Sequence, residues 1–169
     1  EGNCEQWQTR TGCIRIVVDN LTLQELLTGQ AVLQQPELEP MLDRIHERLG
    51  RWRRLGLKWS TPEATPVEWR PSSFNTGADA CCNKVQNTLA SYRVGHDHVS
   101  ELIRRGYNIL VQCDGGCRTV GNSATGWRLI AINPEGSKRK IILEGGSCVS
   151  GNSSSLRIES IVLDESRGC

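Results

Sequence analysis

No run of 18 or more consecutive apolar residues occurs in the 169-residue chain, so no segment is long enough to cross a bilayer as a helix. The opening stretch EGNCEQWQTRTG has neither a basic cluster nor an apolar core, and so does not read as a secretory signal. It also lacks an initiating Met, which reads as a processed product, an excised segment or part of something longer. These features point to an intracellular protein whose compartment is left open. Internal repeats and low-complexity tracts are absent, which excludes solenoids and polar linkers. CxxC and HxxxH are absent too, which argues against a zinc module; Cys113-x3-Cys117 comes nearest. Charge of one sign is also missing. The 20 Lys and Arg offset 19 Asp and Glu, so net charge decides nothing about an anionic partner.

What is present is the composition of an ordinary globular domain: 37% hydrophobic and 23% charged residues, over a length suited to one hydrophobic core. Eight cysteines are distributed along the chain without a secretory context, and read as reduced, mostly buried thiols. Their even number leaves some disulfides open. Five Trp against a single Phe would serve a core or a partner surface. Two basic clusters stand out, RIHERLGRWRR (44–54) and GSKRK (136–140).

The β-branched run CIRIVVDN (13–20) predicts a buried strand ending at Asp19. LTLQELLTGQ (21–30) predicts a short helix stopped by Gly29. Between Pro36 and Leu55, Leu38, Met41, Leu42, Ile45, Leu49 and Trp52 recur at helical spacing, with Arg44, Arg48, Arg51 and Arg54 on the other face. TPVEWRP (65–71) predicts a short strand, 74–92 a helix with Asp79 in its first turns, and 93–107 another short helix. Three strands follow at 108–114, 123–133 and 138–149, joined by turn residues as an antiparallel meander. The tail, 153–168, opens on serines and predicts a helix with Glu159 near its start.

Four carboxylates share a setting. Asp114 and Asp19 end strands; Glu159 and Asp79 begin helices. Acids placed so are surface-facing yet close to backbone, and oxygen ligands of this kind suit Mg²⁺, which keeps several waters and takes few carboxylates.

The stretch VQCDGGCR, then SATGWRLIA, a third strand and SSSLRIESIVL resembles the opening half of a ribonuclease H domain. In that family a strand ends in Asp-Gly-Gly or Asp-Gly-Ser, two antiparallel strands follow, and a helix carries Glu. RIVVDNLTLQELLTGQ resembles the family's later Asp-bearing strand, and VEWRPSSFNTGADACCN its closing strand, Asn-x-x-x-Asp and helix. The resemblance implies an α/β fold with a mixed five-stranded sheet flanked by helices. It implies a metal-dependent endonuclease acting on the RNA strand of RNA–DNA hybrids, with two Mg²⁺ (or Mn²⁺) held by Asp114, Glu159, Asp19 and Asp79. Gly115 and Gly116 would let nucleic acid approach; Asn20, Asn75, Ser153 and Ser154 would touch the 2′-hydroxyl or phosphate; the row of arginines would grip the backbone.

The order of segments departs from the family. Residues 13–92 match its second half and 108–169 its first half, with 93–107 as a linking helix. Either the chain is one circularly permuted domain over 1–169, or its halves belong to adjacent copies within a larger assembly and close by swapping between chains. The loop WRPSSFNTGAD also lacks the His that many members carry there; His46, His96 and His98 lie elsewhere. That departure, with the segment order, keeps a catalytically weak or inactive structural module as the alternative. Integrase- or resolvase-type transferases share such acids but use fewer of them.

Overall fold

Ile14, Ile16 and Val18 alternate with Arg15 and Val17, and this two-residue period builds strand β1 (Cys13–Val18). The computed structural model describes residues 12–54, 58–59, 67–119 and 121–149, with side chains for 12–51, 67–119 and 121–149. After β1 come α1 (Leu21–Thr28) and, behind a 3₁₀ turn at Pro36–Leu38, α2 (Glu39–Arg54). Then follow β2 (Lys58–Trp59), β3 (Val67–Trp69), α3 (Thr76–Thr88), β4 (Tyr92–Gly95) and α4 (Val99–Arg104). Three long strands complete the described chain: β5 (Asn108–Thr119), β6 (Asn122–Ile132) and β7 (Arg139–Val149).

All the strands belong to one mixed sheet, ordered β2-β1-β5-β6-β7-β4, with β3 also on β1. β2 and β3 pair with β1 one after the other, parallel, as two pieces of a broken outer strand. β1 runs parallel to β5, whereas β5, β6, β7 and β4 are successively antiparallel. The chain is therefore α/β, and its central strand comes late in the sequence.

Residue parity divides the helices between the two faces. Ile14, Ile16 and Val18 of β1, Ile109, Val111 and Cys113 of β5, and Trp127 and Leu129 of β6 form one apolar surface. Leu23, Leu26 and Leu27 of α1, Leu42, Ile45 and Leu49 of α2, and Leu102 and Ile103 of α4 cover it. The alternate residues point the other way, towards α3. That helix comes down onto backbone: a Cβ on Gly126 would stand 2.3 Å from Ala78 O and Cys82 N. On Gly146 it would meet Val85 Cγ2 at 2.7 Å, and on Gly116 Cys82 Sγ at 3.4 Å. Gly126 and Gly146 are direct partners across β6 and β7. Glycine in these strands is there to admit a helix.

Three expectations need correction. β5 does not end at Asp114; it pairs with β6 through Gly115↔Thr125 and Gly116↔Ala124 as far as Thr119. The reversal comes at 119–122, so Gly-Gly lies within a ladder rather than in a turn. Residues 93–107 are not one helix: 92–95 form β4, because the outer edge of β7 offers Gly145 and Gly146 as partners for Arg93 and Tyr92. The sheet consequently exceeds five strands, through β4 and the two-residue β2. The tail with Ser153, Ser154 and Glu159 lies outside the described residues. Among the described cysteines, Cys13, Cys81, Cys82, Cys113, Cys117 and Cys148 are all free, and Cys81, Cys82 and Cys113 are buried. No described helix is long and apolar enough to cross a membrane.

Gly126→Ala is expected to cost roughly 3 kcal/mol in urea unfolding, because its methyl collides with helix backbone that cannot rotate away. Gly29→Ala has open space around it and only an unfavourable φ of +78°, so its cost is expected near 1 kcal/mol. Equal losses at the two sites would refute the close approach of α3.

Candidate functional site

The last β1–β5 pair is Val17↔Gln112. Continuing that register by two residues sets Asp19 level with Asp114 on the neighbouring strand, on the face that carries α3. The chain turns immediately after Asp19 because Asn20 caps α1, its side-chain oxygen accepting from Leu23 N at 3.1 Å. The exit of β1 is pinned from the far side. Arg70 N donates to Val18 O at 2.9 Å, and Trp69 Nε1 to Asp19 O at 3.1 Å.

Asp79 arrives from above, in the first turn of α3, where the helix dipole favours an anion. Asn75 fixes where that turn begins. It is wholly buried, and its amide nitrogen donates to Cys113 O at 2.5 Å, tying the start of α3 to the residue before Asp114. Asp79 is braced along the helix as well. Asn83 Nδ2 donates to Asp79 Oδ2 at 3.0 Å, while Arg118 of β5 donates to Asn83 Oδ1 at 2.7 Å and to Asn87 Oδ1 at 2.5 Å.

Asp114 is 9% exposed. Burial first, and then the charge of Asp19, push its carboxyl up to about 7; the Gly115 N–H opposes this, and Asp79 adds to it by charge and by hydrogen bond. The hydrogen bond with Asp79 favours the protonated form of Asp114. Cys82, on the sheet-facing side of α3, is pushed up to about 12 by burial and by Asp114, so it remains a thiol. The donors at this spot are carboxylate oxygens, the hard ligands that a divalent cation of the magnesium type takes. Among the described residues, no group of three or more His, Cys, Asp or Glu side chains forms a ready metal cage. Asp19 and Asp79 are each within electrostatic reach of Asp114, without the three closing around a centre.

The structure places the other expected contacts differently. Gly116 gives its clearance to Cys82 and Gln86 of α3, not to an incoming ligand. Asn75 is an internal tether with no exposed surface. Asn20 is occupied as a helix cap. Arg44, Arg48, Arg51 and Arg54 lie on α2, which packs against the sheet face opposite Asp114. Arg51 there pairs with Glu47 at 3.6 Å, and the Arg54 side chain lies outside the described residues. His96 and His98 lie in the connection from β4 to α4, at the other edge of the sheet. Sequence reading missed the Arg118–Asn83 brace, whose only signal was the Asp79-x3-Asn83-x3-Asn87 spacing along one helix face.

The chain matches no protein-family model, no characterised protein and no solved structure.

The raised Asp114 sets a pH dependence of stability. Between about pH 4 and pH 7 the folded chain keeps a proton that the unfolded chain has lost, so stability falls as pH rises through that window. Above it, the ionised folded form carries a penalty on the order of 4 kcal/mol. Asp114→Asn, whose amide can still donate to Asp79, is expected to be more stable than the parent at pH 8 in EDTA and equally stable at pH 4. Parallel pH–stability curves for the two chains would contradict this.

Proposed function

We propose that this chain is a metal-dependent endonuclease of the ribonuclease H type, cleaving the RNA strand of RNA–DNA hybrids. The observation that carries the reading is the meeting of three acids: Asp19, one residue past the end of β1, acts on Asp114 of the adjacent parallel strand β5 by its charge, and Asp79 acts on it from α3 by charge and hydrogen bond. These are three of the four acids that the resemblance singled out. They come from segments about 95, 35 and 60 residues apart along the chain, and convergence over such separations is not a local accident of composition. The strands that bear them are contiguous in space although their order along the chain is inverted. That combination is what a circular permutation of the fold would leave.

The donor set fits a divalent cation. Asp19, Asp79 and Asp114 would be its ligands, and Glu159 the fourth on the strength of the resemblance. When bound, a pair of Mg²⁺ supplies stabilisation of both the attacking and the leaving oxygen of an in-line displacement at phosphorus. The protein's own part is positioning. Asn75 and the Arg118–Asn83 brace hold Asp79 over β5, and the burial of Asp114 keeps its carboxyl from being satisfied by bulk water.

The test is cleavage of a labelled RNA–DNA hybrid in Mg²⁺. The chain is expected to cut the RNA strand, and Asp114→Asn to lower the rate by on the order of 100-fold or more, as loss of a central electrostatic stabiliser does. Asp19→Asn and Asp79→Asn are expected to follow. Equal cutting by the parent and Asp114→Asn, or none by either, would leave the fold as a structural module.

A further inference from the structure

Helix α3 covers only part of its sheet face. Towards the start of β1 and β5 that face is covered by side chains rather than by a helix among the described residues, and an open groove of about 660 Å³ runs between them. Val17 and Leu110 form an apolar floor, and Arg15, Arg70 and Arg139 stand around it. One acid lies against these cations: Glu68 accepts from Arg15 at 2.8 and 2.9 Å and pairs with Arg70 at 3.2 Å. A single carboxylate shared by two guanidinium groups fixes their positions without cancelling their charge. Arg139, from the GSKRK cluster, has no hydrogen bond or ion pair among the described residues.

Phe74 forms part of the groove wall and is 65% exposed, a large apolar surface for a residue in a 3₁₀ turn. Its position is set from below, where Gln112 Nε2 donates to Phe74 O at 3.2 Å. A flat ring offered to solvent beside three guanidinium groups matches a base next to its phosphates, because stacking tolerates any base and arginine forks fit phosphate oxygens. The groove also has a direction. Arg15 and Val17 share a face of β1, as Leu110, Gln112 and Asp114 share one of β5, so the groove leads towards the acids, roughly 13 Å from Arg15 to Asp19 along the strand direction.

We infer that this groove takes the nucleic-acid strand beside the scissile phosphate, with Arg15, Arg70 and Arg139 on its phosphates and Phe74 against a base. The inference rests on the endonuclease reading and moves the backbone grip from the arginines of α2 to the opposite face of the sheet.

Binding of a fluorescent RNA–DNA hybrid to the full chain carrying Asp114→Asn, in Mg²⁺ at several salt concentrations, tests it. Adding Arg139→Ala is expected to weaken binding at every salt and to lower the slope of log Kd against log salt by about 1. Adding Phe74→Ala is expected to raise Kd roughly 10-fold with the salt slope unchanged. Arg139→Lys should keep the slope. An unchanged Kd in both the Arg139→Ala and Phe74→Ala chains overturns the inference. So does a loss of melting temperature without a loss of binding, which would mean that the groove holds another segment of this chain. Cleavage by the chain with its native Asp114, read separately, tells the two ideas apart. Asp114-dependent cutting with an unaffected Kd removes the groove and leaves the enzyme. Weakened binding without Asp114-dependent cutting leaves the groove and removes the enzyme.

Discussion

Asp79 can meet Asp114 only if α3 lies against the backbone of the sheet, and that closeness is the constraint on which the site depends. Side chains of ordinary size on β6 and β7 would hold a helix about 10 Å from the strand axes. Here Gly126 and Gly146 remove them, and Ala78, Cys81 and Cys82 keep the helix side small. The buried amide of Asn75 then converts proximity into register, since its bond to Cys113 O admits one position of the first turn along β5. Small residues and one tether thus decide where an exposed acid stands.

The electrostatics run against this arrangement. Each of the three acids would be unremarkable at a surface, but the strand adjacency of Asp19 and Asp114 and the close seat of α3 bring like charges together beside a buried carboxyl. Arg118, on the same strand as Asp114, is spent on Asn83 and Asn87. Arg128 is held likewise, by Glu144 at 3.0 Å. Two cations close to a cluster of acids, each engaged elsewhere, leave the acids under-compensated, and such a site gains most from an added positive charge.

Much of this was legible from local pattern. The β-branched run of β1, the Gly29 stop of α1, and the strands β6 and β7 follow from short-range rules, and the structure has them in place. What failed was non-local. Of the arginine stripe of α2, Arg44 and Arg51 are exposed and Arg48 half-buried, but periodicity says nothing about which side of the sheet a helix covers. Asp114-Gly-Gly looked like a strand end because glycine usually punctuates; only the partner strand, with Thr125 and Ala124 opposite, extends the ladder through it. Tyr92–Gly95 became a strand because β7 had a free edge, a fact about residues some fifty positions downstream. The groove was invisible for the same reason, since Arg15, Arg70 and Arg139 are neighbours only across three strands and a 3₁₀ turn.

The seam between β1 and β5 joins the two halves of the described chain, and it is also where Asp19 meets Asp114. Its lower end is clipped firmly. Cys13 N donates to Asn108 Oδ1 at 2.9 Å across 95 residues, and Gly12 N donates to Ile103 O at 3.1 Å. Gly12 also lies so close to the Tyr107 carbonyl that no Cβ could be placed there. Its upper end carries two acids that repel. A parallel pair closed by long-range contacts forms late and at a large entropic cost, so the clip at one end is what makes the strained end possible. Neither half contains the site alone. Loss of the seam would disassemble the acids before it disturbed the meander of β5, β6 and β7, whose pairing is local. A cation bound at the upper end would act on the same equilibrium, because it would turn the seam's repulsive terminus into an attractive one.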